Sequence, residues 1–285
     1  MKNIPIRYLS GAQAELNHSE NFNIRDLQKV TGGKDMVQEL HRHDFNYILV
    51  VKKGGGKHTI DFTAYPVADH SVFFMRPGQV HQLMLTGKST GYLLGFKTDF
   101  YAAHNPVANQ LLRKAGSINF YKLDAGRFKK LIPITSYILQ EYTDKQQGYQ
   151  EVIKANLNIL FVELTRQREK ASSNNANLYT QERLEKFLEL LDANISKHKQ
   201  VAYYADALNL SSYQLNAITR AALGKTCSDL ITEYILLEAK RYLLATPNQV
   251  SQVAYQLGYE DVSYFIRFFK KHTGYSPEAF RQNFK

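Results

Sequence analysis

The chain has 285 residues, 44% of them hydrophobic, with 7 prolines and a single cysteine; that is enough apolar content for a sizeable core and, at about 150 residues per domain, for two domains. One thiol, Cys227, excludes an intramolecular disulfide and is too little for a cysteine zinc site, and no signal-peptide core or run of about 18 apolar residues is present, so a cytoplasmic location without membrane insertion is expected. The net charge of +10 does not by itself mark a nucleic-acid binder: residues 1–175 hold 23 lysines and arginines against 15 acids, residues 176–285 only 13 against 11, so any DNA contact in the C-terminal part needs a local patch.

The first predicted elements are strands. Between residues 36 and 96, short runs alternate apolar and polar residues: YILVV, HTIDFTAY, SVFFM, HQLML and YLLGF. They are broken by Gly54-Gly55-Gly56 and Pro77-Gly78, a pattern that predicts an all-β sandwich or barrel. The triple glycine opens no helix and reads as a hairpin turn rather than a phosphate cradle. Helices follow, one near residues 125–142 and one over 150–168, where Ile153, Leu157, Leu160, Phe161 and Leu164 form an amphipathic stripe. Two readings of the stripe stay open: cover for one face of the barrel, or a dimer interface built on Ile153, Leu157, Leu160 and Leu164.

The polar run ASSNNANLY at 171–179 predicts a linker between a domain of residues 1–170 and one of residues 180–285. Thr180 is placed to cap a helix that buries Leu184, Phe187, Leu188 and Leu191, and seven helices are predicted from there on. They contain a repeat: ADALNLSSYQLNAITRAALGKT, from Ala205, aligns with AYQLGYEDVSYFIRFFKKHTGYS, from Ala254. In each copy a short helix, a tight connection and a second helix ended by Gly224 or Gly274 follow the small alanine, which is the grammar of a helix-turn-helix. The helix predicted from Ser228 to Ala245 is about 27 Å long at 1.5 Å per residue. It can space the two copies for major grooves about 34 Å apart.

The stretch GYEDVSYFIRFFKKHTGYSPEAFR closely resembles the C-terminal signature of AraC-type bacterial transcription regulators. The match runs through Gly258, Tyr259, Asp261, Ser263, Tyr264, Phe265, Arg267, Phe269, Lys270, Lys271, Gly274, Ser276, Pro277, Phe280 and Arg281. The joining helix also resembles the family's R-x-x-x-A-x-x-L-L, with Leu237 where the first Arg is usual. The first copy departs from the pattern: Thr219-Arg220-Ala221 stands where F-K-K is usual and Ala217 replaces the common Arg, so it is expected to grip DNA more weakly. On the second copy, Phe265, Phe268 and Phe269 fall inward, leaving Val262, Ser263, Ile266, Arg267 and Lys270 toward the groove. Arg267 is the expected guanine contact, Val262 or Ile266 can meet a thymine methyl, and Lys270 with Lys271 would hold phosphate. By alignment, Tyr213, Asn216 and Arg220 are the first copy's candidates.

Upstream, HRHDFNYILVVKKGGGKHTIDF and SVFFMRPGQVHQL resemble the cupin barrel as it occurs in AraC-type regulators, through His41, His43, the glycines 54–56 and Pro77-Gly78-Gln79-Val80-His81. Cupin enzymes bind iron, manganese or zinc with three such histidines and a glutamate. Here Tyr47, beside Asn46, stands four residues past His43 and no carboxylate replaces the glutamate, so no metal, cofactor or catalytic residue is expected, although three neutral imidazoles can hold a divalent ion. An effector pocket is expected instead, its mouth drawn from His41, His43, Tyr47, Arg76 and His81, with Arg76 suited to an anion. The resemblance implies a two-domain regulator: an N-terminal all-β cupin-like barrel with flanking helices, and a C-terminal all-α domain of two helix-turn-helix units joined by a long helix. Double-stranded DNA, a small-molecule effector, a second copy of the chain and RNA polymerase are the implied partners. The rival is a cupin metalloenzyme with an appended DNA-binding domain.

Overall fold

The computed structural model describes residues 6–7, 9, 21–103, 105–169, 178–246 and 248–283. They fall into two units, one ending before residue 173 and one beginning there. In chain order the first unit contains β1 (Ile6–Arg7), β2 (Phe22–Asp26), α1 (Leu27–Thr31), β3 (Met36–His43), β4 (Asn46–Lys53), β5 (Gly56–Ile60), β6 (Thr63–Val67) and β7 (Ser71–Met75). It continues with β8 (Val80–Leu85), β9 (Thr90–Phe96), α2 (Thr98–Ala102), α3 (Pro106–Gly116), β10 (Phe120–Lys122), α4 (Ala125–Asp144) and α5 (Tyr149–Glu169).

The strands form two five-stranded sheets, in the orders β1-β3-β8-β5-β6 and β10-β7-β4-β9-β2. Strand β4 shows why the run of buried residues from Asn46 to Val51 is unbroken. Tyr47, Leu49 and Val51 join Phe73, Leu83 and Leu85 in the cluster between the sheets, while Ile48 and Val50 join Phe74, Phe128 and Phe161 in a second cluster under the helices. A strand covered on both faces must be apolar at both parities.

Two local expectations are corrected. HTIDFTAY is a hairpin, not a strand: Asp61 and Phe62 take φ of 43° and 69°, and Ile60 pairs with Thr63, as in a two-residue turn with both centres left-handed. The triple glycine is not a hairpin, because β4 pairs with β7 and β9 whereas β5 pairs with β6 and β8; the chain there crosses from one sheet to the other. Gly56 is required at that crossing, since a Cβ on it would lie 2.0 Å from the Met84 carbonyl oxygen.

Helix α5 buries its predicted stripe against the sheet. Ile153, Leu157, Leu160 and Leu164 are each 0% exposed within the helix-side cluster. The expectation that these four make a dimer interface is therefore corrected, because they have no surface left to offer. The outward face of α5 carries exposed Ala155 and Ile159, the latter 48% exposed, with half-buried Val152 and Val162 beside them.

The second unit contains α6 (Leu178–Asn194), α7 (Val201–Ala207), α8 (Ser212–Leu223), α9 (Cys227–Ala245), α10 (Val250–Gln256), α11 (Val262–Thr273) and α12 (Pro277–Asn283). Residues 171–177 of the expected linker lie outside the described residues. Because α6 begins at Leu178, Thr180 sits in its first turn rather than at its cap; Leu184, Phe187 and Leu191 are buried and Leu188 is half-buried. The other helices are punctuated by their own side chains. Ser211 and Gln214 cap α8 reciprocally and Gly224 ends it at φ 69°; Thr226 and Asp229 cap α9; Asp261 caps α11, which Gly274 ends. Ala205 and Ala254 are both buried. Among the described residues no helix is long and apolar enough to cross a membrane.

Candidate functional site

The second helix-turn-helix unit, α10 and α11, divides its chemistry by face. Phe265 and Phe269 are fully buried, and Phe269 packs edge-on against Phe280 of α12. Phe268, expected inward, is only half-buried and lies between Tyr259 and His272, at centroid distances of 5.7 and 4.9 Å. Ser263, Arg267, Lys270 and Lys271 are exposed, while Val262 and Ile266 are half-buried at the edge of that surface. The Arg267 side chain, 69% exposed, has its guanidinium 3.8 Å from the Asp261 carboxylate. A pair so open to water holds the side chain weakly and leaves it available. Tyr264 is also exposed on this face, a contact candidate the sequence reading passed over. Arg281, matched in the signature, works inside the fold: it donates to the carbonyls of Leu243 and Asn248 at 2.8 and 2.6 Å and so closes the end of α9.

The first unit, α7 and α8, keeps the same scaffold with less charge. Tyr213 is 83% exposed, and Arg220 and Ala217 are exposed too; Ala217 occupies the place of Arg267 once Gly224 and Gly274 are superposed in the repeat. Asn216 has a structural partner that the sequence reading did not foresee. The Asn216 amide donates to Ser212 O at 3.0 Å and accepts from Cys227 N at 2.9 Å, so the side chain braces the start of α9. The second copy explains the difference: Pro277 stands where the first has Cys227, has no N–H to satisfy, and frees the matching position to be Ile266.

In the barrel, β3 and β8 pair with a register shift between Gln38 and His41. Gln38 opposes Leu83 and His41 opposes His81, so one extra residue on β3 turns His41 and His43, rather than Leu40, toward the interior. The expected residues His41, His43, Tyr47 and His81 do come together, all buried. Nε2 of His81 lies 2.9 Å from Nε2 of both His41 and His43. Its Nδ1 lies 2.8 Å from Nε2 of His58 on β5, a residue the sequence reading missed; the available signal was a histidine two residues from the inward Ile60 on an alternating strand. Burial pushes His41 down to about 4, and His43 and His58 to about 3, and holds His81 well below its ordinary value; all four are neutral at pH 7. Burial raises the Tyr47 phenol. Its ring stacks on His43 at 5.1 Å.

Arg76 is a correction. Tyr47 opposes Met75 and shares the inter-sheet cluster with it, so the residue that follows the end of β7 leaves the strand toward the opposite face. Arg76 is exposed, with its Cγ beside Gly116 at the end of α3, on the helix side of the sheet. The cation nearest the histidines along the sheet is instead the exposed Arg7, carried next to His43 by the pairing of β1 with β3; Arg25 and Arg7 both act on Tyr47.

Comparison with known proteins gives two successive matches. The family model for an AraC-like ligand binding domain covers residues 34–124, and that for a helix-turn-helix domain covers residues 204–283. The chain is similar to the HTH-type transcriptional activator RhaR of Yersinia pseudotuberculosis, at 23% identity over 86% of this chain and 84% of that one. It is similar also to RhaS of Escherichia fergusonii, at 24% identity over 85% and 87%. Among solved structures, ToxT of Vibrio cholerae with bound unsaturated fatty acid aligns over 91% of this chain and 94% of that one, at 18% identity and a TM-score of 0.41.

Proposed function

Since the chain belongs to the AraC-type transcription regulators, a family of DNA-binding proteins with a ligand-binding domain, we propose that its second helix-turn-helix unit is the principal reader of DNA sequence. The observation that carries this is the division of α11 into a buried face of Phe265 and Phe269 and an exposed one of Arg267, Lys270 and Lys271. Arg267 contacts guanine, Val262, Ser263 and Ile266 approach neighbouring bases, and Lys270 and Lys271 hold phosphate; Tyr213 and Arg220 give the first unit a weaker hold.

The N-terminal barrel binds a small-molecule effector beside His41, His43, Tyr47 and His81, with Arg7 in place of Arg76 as the cation for an anionic one. The output is activation, as the names of the transcriptional activators RhaR and RhaS suggest, with RNA polymerase as its partner on our reading, and the working form is a homodimer in the cytoplasm. The similarity to regulators over some 85% of the chain supports this reading over that of a metalloenzyme.

Replacing Arg267 tests it. Arg267→Ala should cost about 1–3 kcal/mol at the cognate site and relax one base position, whereas Lys270→Ala should weaken all sequences alike and lower the salt slope by about 1. Equal losses on cognate and random DNA for Arg267→Ala would remove that residue from base reading.

A further inference from the structure

On the reading that both helix-turn-helix units meet DNA, we propose that Lys199 is a positioning residue: it locks the units to one another and so sets the separation of the two DNA boxes they accept.

Helix α9 joins the units and packs against helices of both. Two bodies that share one helix can still rock about it, so a fixed spacing needs a second contact that does not run through α9. The segment before α7 supplies one. Ser196 and Lys199 lie against the turn between α10 and α11, where Gly258 takes φ of 70° and a Cβ on it would stand 1.7 Å from the Ser196 carbonyl oxygen. The two backbones touch there.

Lys199 turns that approach into a bond. Its Nζ donates to the Gly258 carbonyl at 2.9 Å, with the Ser196 carbonyl at 3.5 Å, and stands 4.8 Å from the centre of the Tyr259 ring. One ammonium thereby meets a carbonyl of each segment and an aromatic face, partners that favour a charged donor. The side chain is half-buried, and burial lowers its pKa, as for an amine drawn out of water.

Each end of the tie is anchored to a reader. On the side of the first unit, the Tyr204 hydroxyl donates to the His198 carbonyl at 2.6 Å and the His198 ring stacks on Tyr203 at 3.7 Å; both tyrosines belong to α7. On the side of the second, buried Tyr259 packs on Phe265 and Phe268 of α11, at 5.3 and 5.7 Å. Packed groups therefore run from α7 through Lys199 to the helix that carries Arg267, and a displacement of one unit against the other has to break them. An apolar residue at 199 would still cover Tyr259 but would bond neither carbonyl.

The test uses the full chain and the site it selects from a random duplex library. Scrambling each box in turn shows first whether both are read; if only one matters, the reading of two DNA-binding units fails, and the tie has nothing to set. Affinity for the selected site is then compared with that for duplexes carrying one base pair more or fewer between the boxes. One base pair moves a box by about 3.4 Å and about 35° around the duplex, so locked readers lose affinity at either shifted spacing. In Lys199→Met the ratio of selected to shifted affinity should fall several-fold, with Lys199→Leu as the second variant that lacks the amine. Lys199→Arg keeps a cation and donors and should keep the ratio. So should Lys197→Met, which removes an exposed lysine of the same segment outside the tie. With both boxes read, the proposal alone is overturned by a wild-type chain indifferent to spacing, by apolar variants that keep the wild-type ratio, or by variants that weaken all spacings by one common factor, as loss of a phosphate contact or of general stability would.

Discussion

At position 216 an amide side chain spans two helices of the first unit, and its chemistry separates a brace from a base reader. Asn216→Ala would leave the N–H of fully buried Cys227 without its acceptor, which costs about 1–3 kcal/mol. Cys227 is the first residue of α9, the one helical position where proline is favoured, and Pro277 already serves there in the second copy. Asn216→Ala with Cys227→Pro should therefore recover most of the stability that Asn216→Ala loses, as read from the thermal midpoint of the C-terminal unit. If instead Asn216→Ala leaves that midpoint unchanged and relaxes one base of the operator, the side chain reads DNA after all. The sequence alone pointed the other way because Asn216 aligns with Ile266, on the groove side of the second copy. Its partner is eleven residues on, across a turn, and helical spacing says nothing about such a contact.

The two repeats invite a comparison element against element. Helix α8 keeps the buried Leu215 and Ile218 but carries Ala217 where α11 carries Arg267. Because Ala217 is exposed and arginine is nearly as good a helix former as alanine, Ala217→Arg should fold normally. It should tighten DNA binding several-fold and steepen the dependence of log K on log salt by about 1. Unchanged affinity and slope would show that this face of α8 does not meet DNA. The helices were legible in the sequence because each carries its punctuation within a few residues: Ser211 with Gln214, Thr226 with Asp229, Gly224 and Gly274. The strands were legible as strands, but their partners were not. The hairpin inside HTIDFTAY, the sheet crossing at the glycines and the extra residue between Gln38 and His41 all depend on pairing with chain tens of residues away. That is also why His41, His43 and His81 could be chosen from a motif, whereas Arg7 reaches the same site only by cross-strand pairing and His58 was signalled only by its parity with Ile60.

In the whole molecule, each unit has its own core, so the means by which an effector in the barrel alters DNA binding must lie in assembly or in presentation of the readers; a ligand shifts only an equilibrium between states it binds differently. Assembly makes the sharper prediction. The buried stripe of α5 cannot pair with a second chain, and its outward residues Val152, Ala155, Ile159 and Val162 recur at intervals of three and four, the spacing of a helix–helix seam. Joining two DNA-binding units in one particle makes the second binding event intramolecular and can raise affinity for a doubled operator 10²–10⁴-fold without a new DNA contact. A charge at Ile159 disturbs no core, since the residue is 48% exposed, yet, if two chains pair through this face, it would place an unpaired carboxylate in the middle of their contact. Ile159→Glu should therefore sediment as a monomer with unchanged circular dichroism and bind a single operator site as wild type does, while losing most of the gain on paired sites. A variant that stays dimeric places the interface elsewhere, and one that becomes monomeric but keeps the gain removes assembly as the source of operator affinity.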